Sequence, residues 1–360
     1  MKRTNTKPKM SIPNPLEFIL SSFIMELAID LGTANTRIHV KNKGIILNEP
    51  TVISRQERGG KVVAVGLQAE EMLGRAPKNI ITSRPLEHGV ISDFDMAEAL
   101  LEYFFKKLQR QPGRFPFPLF PRVLIGIPAG VTEVERKAVV DAGLSAGARR
   151  VFLVEEPMAA AIGADLKIKE AKANLILDIG AGTSEVAVVS WGGVVVSKST
   201  PIAGDEINNT IVNWIRERFN VLVGDKSAEV LKKQLNVHAD DQNSPLTIRG
   251  RNLNSGLPKE IQVERDELRQ ALHRPVQQII ELVRDIIEET PPELVADLVH
   301  TGLVLSGGGA KLAGIDQLLA ENLEIPVRIA ESPELCVIRG LSQILENPKL
   351  LEKVQVAWGR

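Results

Sequence analysis

One short pattern occurs twice in this chain, and it limits the possible folds more than any other feature. Residues 28–36 read AIDLGTANT and residues 176–184 read ILDIGAGTS. Each is an apolar strand, an aspartate, an apolar residue and a glycine, followed by small and hydroxyl-bearing residues. Each then runs into a second strand, RIHV in one copy and EVAVVS in the other. Copies separated by about one domain length point to two homologous domains facing each other across a cleft. A chain of 360 residues is long enough for both.

Around these copies, strands alternate with helices, which indicates an α/β fold. Strands are expected at Leu27–Asp30, Arg37–Val40, Arg122–Ile127, Val151–Val154, Asn174–Ile179, Glu185–Ser190 and Leu303–Leu305. Helices are expected at 96–110, Thr132–Ala142, Pro157–Ala164, from Glu264 and from Lys311. Pro275 should kink or divide the helix that starts at Glu264, near Arg274. Asp240–Ser255, rich in Asp, Asn, Ser and Gly, reads mainly as loop or short hairpin.

The repeated turns suit phosphate. Glycine permits unusual dihedrals and close approach to the main chain, and successive backbone N–H groups can converge on an anion. Thr33, Asn35, Thr183 and Ser184 can add side-chain donors. Asp30 and Asp178 would repel a polyphosphate unless a magnesium ion lies between, held directly or through its waters. A single Asp-x-Gly turn also closes ordinary hairpins, but two matched copies make a magnesium nucleotide the better reading. No P-loop sequence is present. Gly307, Gly308 and Gly309 follow a strand and could admit a ribose or adenine, or simply form a tight strand-to-helix turn. They lack the dinucleotide spacing.

A net charge of −1 and a pI near 6.6 give no global pull toward nucleic acid. The single cysteine, Cys336, excludes an internal disulfide, and its apolar neighbours suggest a buried structural thiol in a reducing cytosol. At the N-terminus Leu16, Ile19, Leu20 and Phe23 fall at helical spacing behind Lys2, Arg3, Lys7 and Lys9. This run is too short to span a bilayer and does not read as a secretory signal. Two readings stand: an amphipathic helix on a membrane surface, or a tail packed on the first strand. Residues 115–120, FPFPLF, would form an exposed apolar patch that marks an interaction site.

The turns and glycine triplet together resemble the actin, sugar-kinase and heat-shock-chaperone ATPase superfamily. IDLGTANT (29–36), NEPTVIS (48–54), VEEPMAAAIGA (154–164), GRNL (250–253), TPPELVAD (290–297) and LSGGGAKLAG (305–314) are similar to the MreB family of bacterial actins, from about residue 26 to residue 345. The resemblance implies an actin-like ATPase fold: two duplicated domains, each a core mixed sheet flanked by helices with a smaller subdomain. It places domain I at 26–172 (small subdomain about 50–93) and domain II at 173–340 (small subdomain about 205–268). An N-terminal arm at 1–25 and a C-terminal helix and tail at 341–360 complete the chain.

By position, the resemblance implies that Asp30, Gly32, Thr33, Ala34 and Asn35 form the first phosphate motif. Asp178, Gly180, Gly182 and Thr183 form the second, with Asp30 and Asp178 beside the metal. Gly307, Gly308 and Gly309 match the adenosine motif, Glu229 and Lys232 a helix bordering the nucleoside, and Gly204, Asp205 and Glu206 a loop near ribose and phosphates. Glu156 matches the glutamate that orients the attacking water, a role within carboxylate chemistry, and Thr183 the threonine assisting it. Glu155 is read instead as favouring the positive end of the following helix.

Two positions depart from the family. Ala181 stands where a third glycine is usual, and a left-handed dihedral there would cost roughly 1–2 kcal/mol. The aligned Thr33 already carries a β-carbon, so the turn should tolerate it. Arg37 replaces a usually apolar residue, with no evident role.

The resemblance further implies slow ATP hydrolysis coupled to assembly, with GTP an open alternative. It implies self-assembly into filaments, a cytoplasmic location on the inner face of the cell membrane, and partners among the cell-wall elongation proteins. A hydrophobic loop at Leu119 and Phe120 would insert into the membrane, acting with the helix at Leu16–Met25. A small-molecule kinase or a chaperone-type ATPase of the same fold are the alternatives. The first lacks a substrate motif. The second needs a further domain, for which the chain past the last matched segment is too short.

Overall fold

Residues 25–109, 120–238 and 244–356 are described by the structure, a computed structural model. Its centre is the strand Glu26–Leu31, in which Leu27, Ala28 and Ile29 are fully buried. A strand apolar on both faces belongs in the interior of a sheet covered by helices. It pairs antiparallel with Asn35–Val40, which continues antiparallel to Gly44–Pro50. On its other edge it pairs parallel with Arg122–Ile127, and that strand parallel with Arg150–Glu155.

The second sheet repeats this plan. Asn174–Ile179 pairs antiparallel with Ser184–Ser190, which pairs with Gly193–Thr200. On its other side it runs parallel to Leu303–Ser306 and then Val327–Ile329. Both mixed sheets thus share one strand order, and the repeated aspartates occupy one register: Asp30 lies opposite Arg37, and Asp178 opposite Glu185. Each half carries a smaller three-stranded sheet. In the first, Ile53–Gln56 lies between Val62–Val65 and Ile80–Ser83. In the second, Leu246–Asn252 lies between Val221–Leu222 and Pro258–Val263.

Two expectations about elements are narrowed by the structure. Much of Asp240–Ser255 is strand: Leu246 and Ile248 are buried while Thr247 and Arg249 are exposed, a period of two hidden among polar residues. Residues 239–243 lie outside the described chain. Pro275 does not divide its helix, which runs unbroken over Arg265–Glu289. The proline removes one backbone donor, but Leu268, Leu272, Val276, Ile279, Ile280, Val283 and Ile286 bury a continuous face across it. That burial outweighs one lost hydrogen bond. After the glycine triplet a 3₁₀ turn, Gly308–Lys311, precedes the helix Ile315–Leu323. The helix Glu133–Ser145 opens with a capping box between Thr132 and Glu135.

The layer between the sheets is built by two helices, Glu156–Gly163 and Cys336–Glu346. Their shared core joins Ala28 and Leu124 of one sheet to Ile176, Ala187 and Val304 of the other. They meet backbone to backbone: a β-carbon at Gly163 would collide with the Cys336 carbonyl, and one at Gly340 with the Ala159 carbonyl. Cys336 is buried beside this crossing, as its context suggested. The chain then returns to the first sheet, where Val356 N–H donates to the Leu153 carbonyl at 2.9 Å. Among the described residues no helix is long and apolar enough to cross a membrane.

Candidate functional site

The two Asp-x-Gly turns touch. A β-carbon on Gly182 would overlap the Thr33 hydroxyl and lie 3.0 Å from Cα of His88. A two-stranded hairpin, Leu86–Glu87 with Val90–Ile91, holds His88 and Gly89 over this contact. Gly89 N–H donates to Thr33 Oγ1 at 3.0 Å, and its α-carbon faces the Thr183 methyl. Gly32 is fixed by Thr51 Oγ1, which donates to its carbonyl at 2.7 Å, and Ala34 accepts from Thr51 N–H at 2.9 Å. Asn35 starts the outgoing strand. In the second turn Gly180 N–H donates to the Thr183 carbonyl at 2.8 Å.

Of the two properties expected of the turn glycines, only close approach is used. Gly32, Gly180 and Gly182 do not have left-handed backbones, and neither does Ala181, so its alanine carries no such penalty. What these glycines supply is proximity: a β-carbon would sit 3.0 Å from the Asn35 carbonyl oxygen at Gly32 and 3.1 Å from that of Thr183 at Gly180.

Beneath the turns lies a group of buried acids. Asp30 Oδ2 accepts from Arg37 Nη1 at 2.7 Å, and Asp178 Oδ1 from Ser306 Oγ at 2.6 Å. Burial raises Asp30 above the usual carboxylate range, opposed by the Arg37 guanidinium. Burial lifts Asp178 to about 6, with the Ser306 hydroxyl opposing and the charge of Asp30 adding to it. Glu156, the first residue of its helix, is raised well above its ordinary value by burial and then by Glu185, Asp30 and Asp178. Glu185 is raised likewise by burial and Asp178, while Ala129 N–H approaches its Oε2 at 3.4 Å. Glu155, at the helix N-cap, makes no capping hydrogen bond; burial raises it, and its charge adds to the rise of Glu185. No cluster of three or more His, Cys, Asp or Glu is placed to hold a metal among the described residues.

The glycine triplet packs on the Asp178 strand. Gly307 is left-handed (φ +80) against the Ile179 backbone, and Gly309 abuts the Ile179 side chain. A β-carbon on Gly308 would meet nothing within 4 Å, so this position faces open space. The helix Gly204–Phe219 docks its first turn on the second Asp-x-Gly turn, with Asp205 N–H donating to the Ala181 carbonyl at 2.8 Å. Glu206 shares that first turn, half-buried. Lys232 Nζ donates to the Gly204 carbonyl at 3.0 Å and pairs with Glu229 at 2.6 Å. Burial opposes ionisation of Glu229, but hydrogen bonds from Lys232 and Asn208 outweigh it and bring Glu229 to about 2. Glu229 and Lys232 thus form an ion pair on one helix face, tied to the start of the 204–219 helix.

Two contacts close the rim between the halves: Arg84 with Asp205 at 3.2 Å, and Lys226 Nζ with the Glu70 carbonyl at 2.9 Å. Sequence reading missed Arg84, His88, Gly89, Ser306 and Glu185. Only Glu185 had a signal, because it follows its repeat aspartate at the same interval as Arg37. Of the apolar patch, Phe120 is described and is 61% exposed. Leu119 and the Leu16, Ile19, Leu20 and Phe23 positions lie outside the described residues.

A family model described as MreB/Mbl protein matches residues 24–353. The cell shape-determining protein Mbl of Bacillus subtilis (strain 168) is 45% identical over 332 residues, covering 92% of this chain and 98% of the relative. The cell shape-determining protein MreB of Escherichia coli (strain K12) is 45% identical over 329 residues, covering 90% and 94%. Among solved structures, MreB 5 of Spiroplasma citri bound to AMPPNP superposes with a TM-score of 0.84 at 33% identity, covering 92% of this chain and 98% of that one. The MamK double helical filament, at a TM-score of 0.74 and 21% identity over 90% of this chain and 99% of that one, shares the fold. The architecture is the actin-like one, with duplicated mixed sheets flanked by helices, and the chain belongs to the MreB/Mbl family.

Proposed function

We propose that this actin-like cytoskeletal protein binds and hydrolyses ATP in the cleft, and that its nucleotide state governs assembly into filaments on the inner face of the cell membrane. The observation carrying this is the contact between the two Asp-x-Gly turns, with the Glu156 carboxyl buried among their aspartates. Support comes from MreB 5 of Spiroplasma citri, whose structure holds AMPPNP, and from relatives named for determining cell shape. Cell-wall elongation proteins are the expected partners. The domain division proposed is near residues 172 and 340.

The donor set fits magnesium. The buried groups at the turns are oxygen donors, and a hard ion that keeps its waters takes one or two carboxylates plus phosphate oxygens rather than an all-protein cage. Asp30 and Asp178 would hold it; when bound it supplies positive charge at the phosphate oxygens. Thr33, Asn35, Thr183 and the turn N–H groups hold the phosphates, with Gly308 open to the adenosine. Glu156 orients the attacking water and accepts its proton, and Thr183 helps place that water. Burial and then the neighbouring acids raise Glu156 well above its ordinary value, and a cation held at Asp30 and Asp178 would offset two of those charges and favour its ionised form.

Electron microscopy on lipid with magnesium ATP tests assembly. Ordered filaments are expected, and their absence under every nucleotide condition would defeat the proposal. A liposome pelleting assay tests the membrane contact. Deleting residues 1–25 together with Leu119→Glu and Phe120→Glu should abolish co-sedimentation, because a single short apolar contact binds marginally. Undiminished pelleting of that variant would show that neither element is the anchor.

A further inference from the structure

The two repeats differ in one chemical respect. At the position opposite the aspartate, the second carries Glu185 and the first carries Arg37. Asp178 is satisfied by a neutral hydroxyl, whereas Asp30 is satisfied by a guanidinium whose side chain is only 14% exposed. That cation stands below the junction of the two turns, next to the place proposed for the phosphates.

We propose that Arg37 is a resident counter-cation of the phosphate cleft, pairing with Asp30 so that nucleotide phosphates are held with a weaker requirement for a divalent cation than the aspartates alone would impose. This rests on the cleft being the nucleotide site. Two observations carry it. The Arg37–Asp30 pair is largely buried, so its charge is little screened by solvent. In addition, Arg37 Nε is buried without a hydrogen-bond partner, so the guanidinium is not consumed by a closed set of protein contacts. A residue kept only for packing would need neither of these, and the same strand position in the other repeat accommodates a carboxylate. Without Arg37, Asp30 loses the cation that favours its ionised form, and any charge it keeps faces the anion uncompensated. A divalent ion would correct that repulsion, and metal-free binding would not.

The test is the magnesium dependence of nucleotide affinity. A fluorescent ADP analogue is titrated into the full chain in excess EDTA and again in magnesium, and the ratio of the two Kd values is compared between variants. Arg37→Met should increase that ratio by about tenfold, the effect of one charged contact in a buried site. Arg37→Lys should leave the ratio near the wild-type value. Arg37→Gln, which can still hydrogen-bond Asp30 but carries no charge, reports the same increase if the methionine variant fails to fold. A packing role would weaken both affinities equally. An unchanged ratio in Arg37→Met or Arg37→Gln therefore overturns the proposal while leaving the nucleotide site intact. Failure of the wild type to bind under either condition overturns the site itself, and this proposal with it.

Discussion

Glu156→Ala should bind nucleotide and assemble as the wild type does, yet release phosphate about a hundredfold more slowly or worse. The asymmetry follows from where Glu156 sits. Its carboxyl is buried among Asp30, Asp178 and Glu185. The groups proposed to hold phosphate lie on other segments, in the two turns and the 204–219 helix. Removing the carboxyl deletes the group proposed to position and deprotonate water, and it also removes one acid from a crowded site. Binding should therefore hold steady or tighten. Single-turnover phosphate release, read beside nucleotide titration, separates the two effects. Glu155→Ala is the matched control, because Glu155 caps no backbone N–H and is not among the acids that raise Glu156. A loss below about threefold in Glu156→Ala would remove the residue from the hydrolytic step, since general-base contributions start near a hundredfold.

The second large effect concerns stability. Asp178→Asn should stabilise the nucleotide-free protein by about 3 kcal/mol at pH 7.5, an advantage that disappears near pH 4. The aspartate titrates from an ordinary 3.8 to about 6 in the fold, chiefly through burial. Between those values the native state holds a proton that the unfolded chain has released. Wild-type stability from this group therefore falls as pH rises through the window, and above about 6 the full cost is present. Asparagine is neutral at every pH and can still accept the Ser306 hydroxyl. Urea unfolding of both proteins at pH 4.5 and 7.5 checks the sign. An equal difference at both pH values would mean that Asp178 is not the titrating group. The same substitution should weaken magnesium-nucleotide binding, an instance of a site held at some cost to the fold.

Much of this was legible from local pattern. The strands around Asp30 and Asp178 are dense apolar runs, and their repetition revealed the duplicated sheets before any contact was known. Patterns carried by few residues were harder. Leu246 and Ile248 are too sparse among polar neighbours to announce a strand, and Pro275 follows a breaker rule that a long buried face overrides. Of the two properties expected of the turn glycines, close approach is used and a left-handed backbone is not. Arg37 and Glu185 were readable only by aligning the repeats to each other, since each gains its meaning from the aspartate across the strand pair. Arg84 with Asp205, and Gly89 with Thr33, join distant parts of the chain, and no periodicity records such encounters.

The crossing of the 156–163 and 336–346 helices bears on how this molecule can move. Side chains between helices form an elastic layer that lets them slide in small increments. At Gly163 and Gly340 that layer is missing, and main chain rests on main chain. Such a joint behaves as a pin: it resists translation, while rotation about the point of contact leaves its few touching atoms in place. Each half also lends the other a piece of its covering, since the C-terminal segment ends on the first sheet. Relative motion of the two halves is thereby expected to favour a twist about this crossing over a slide along it.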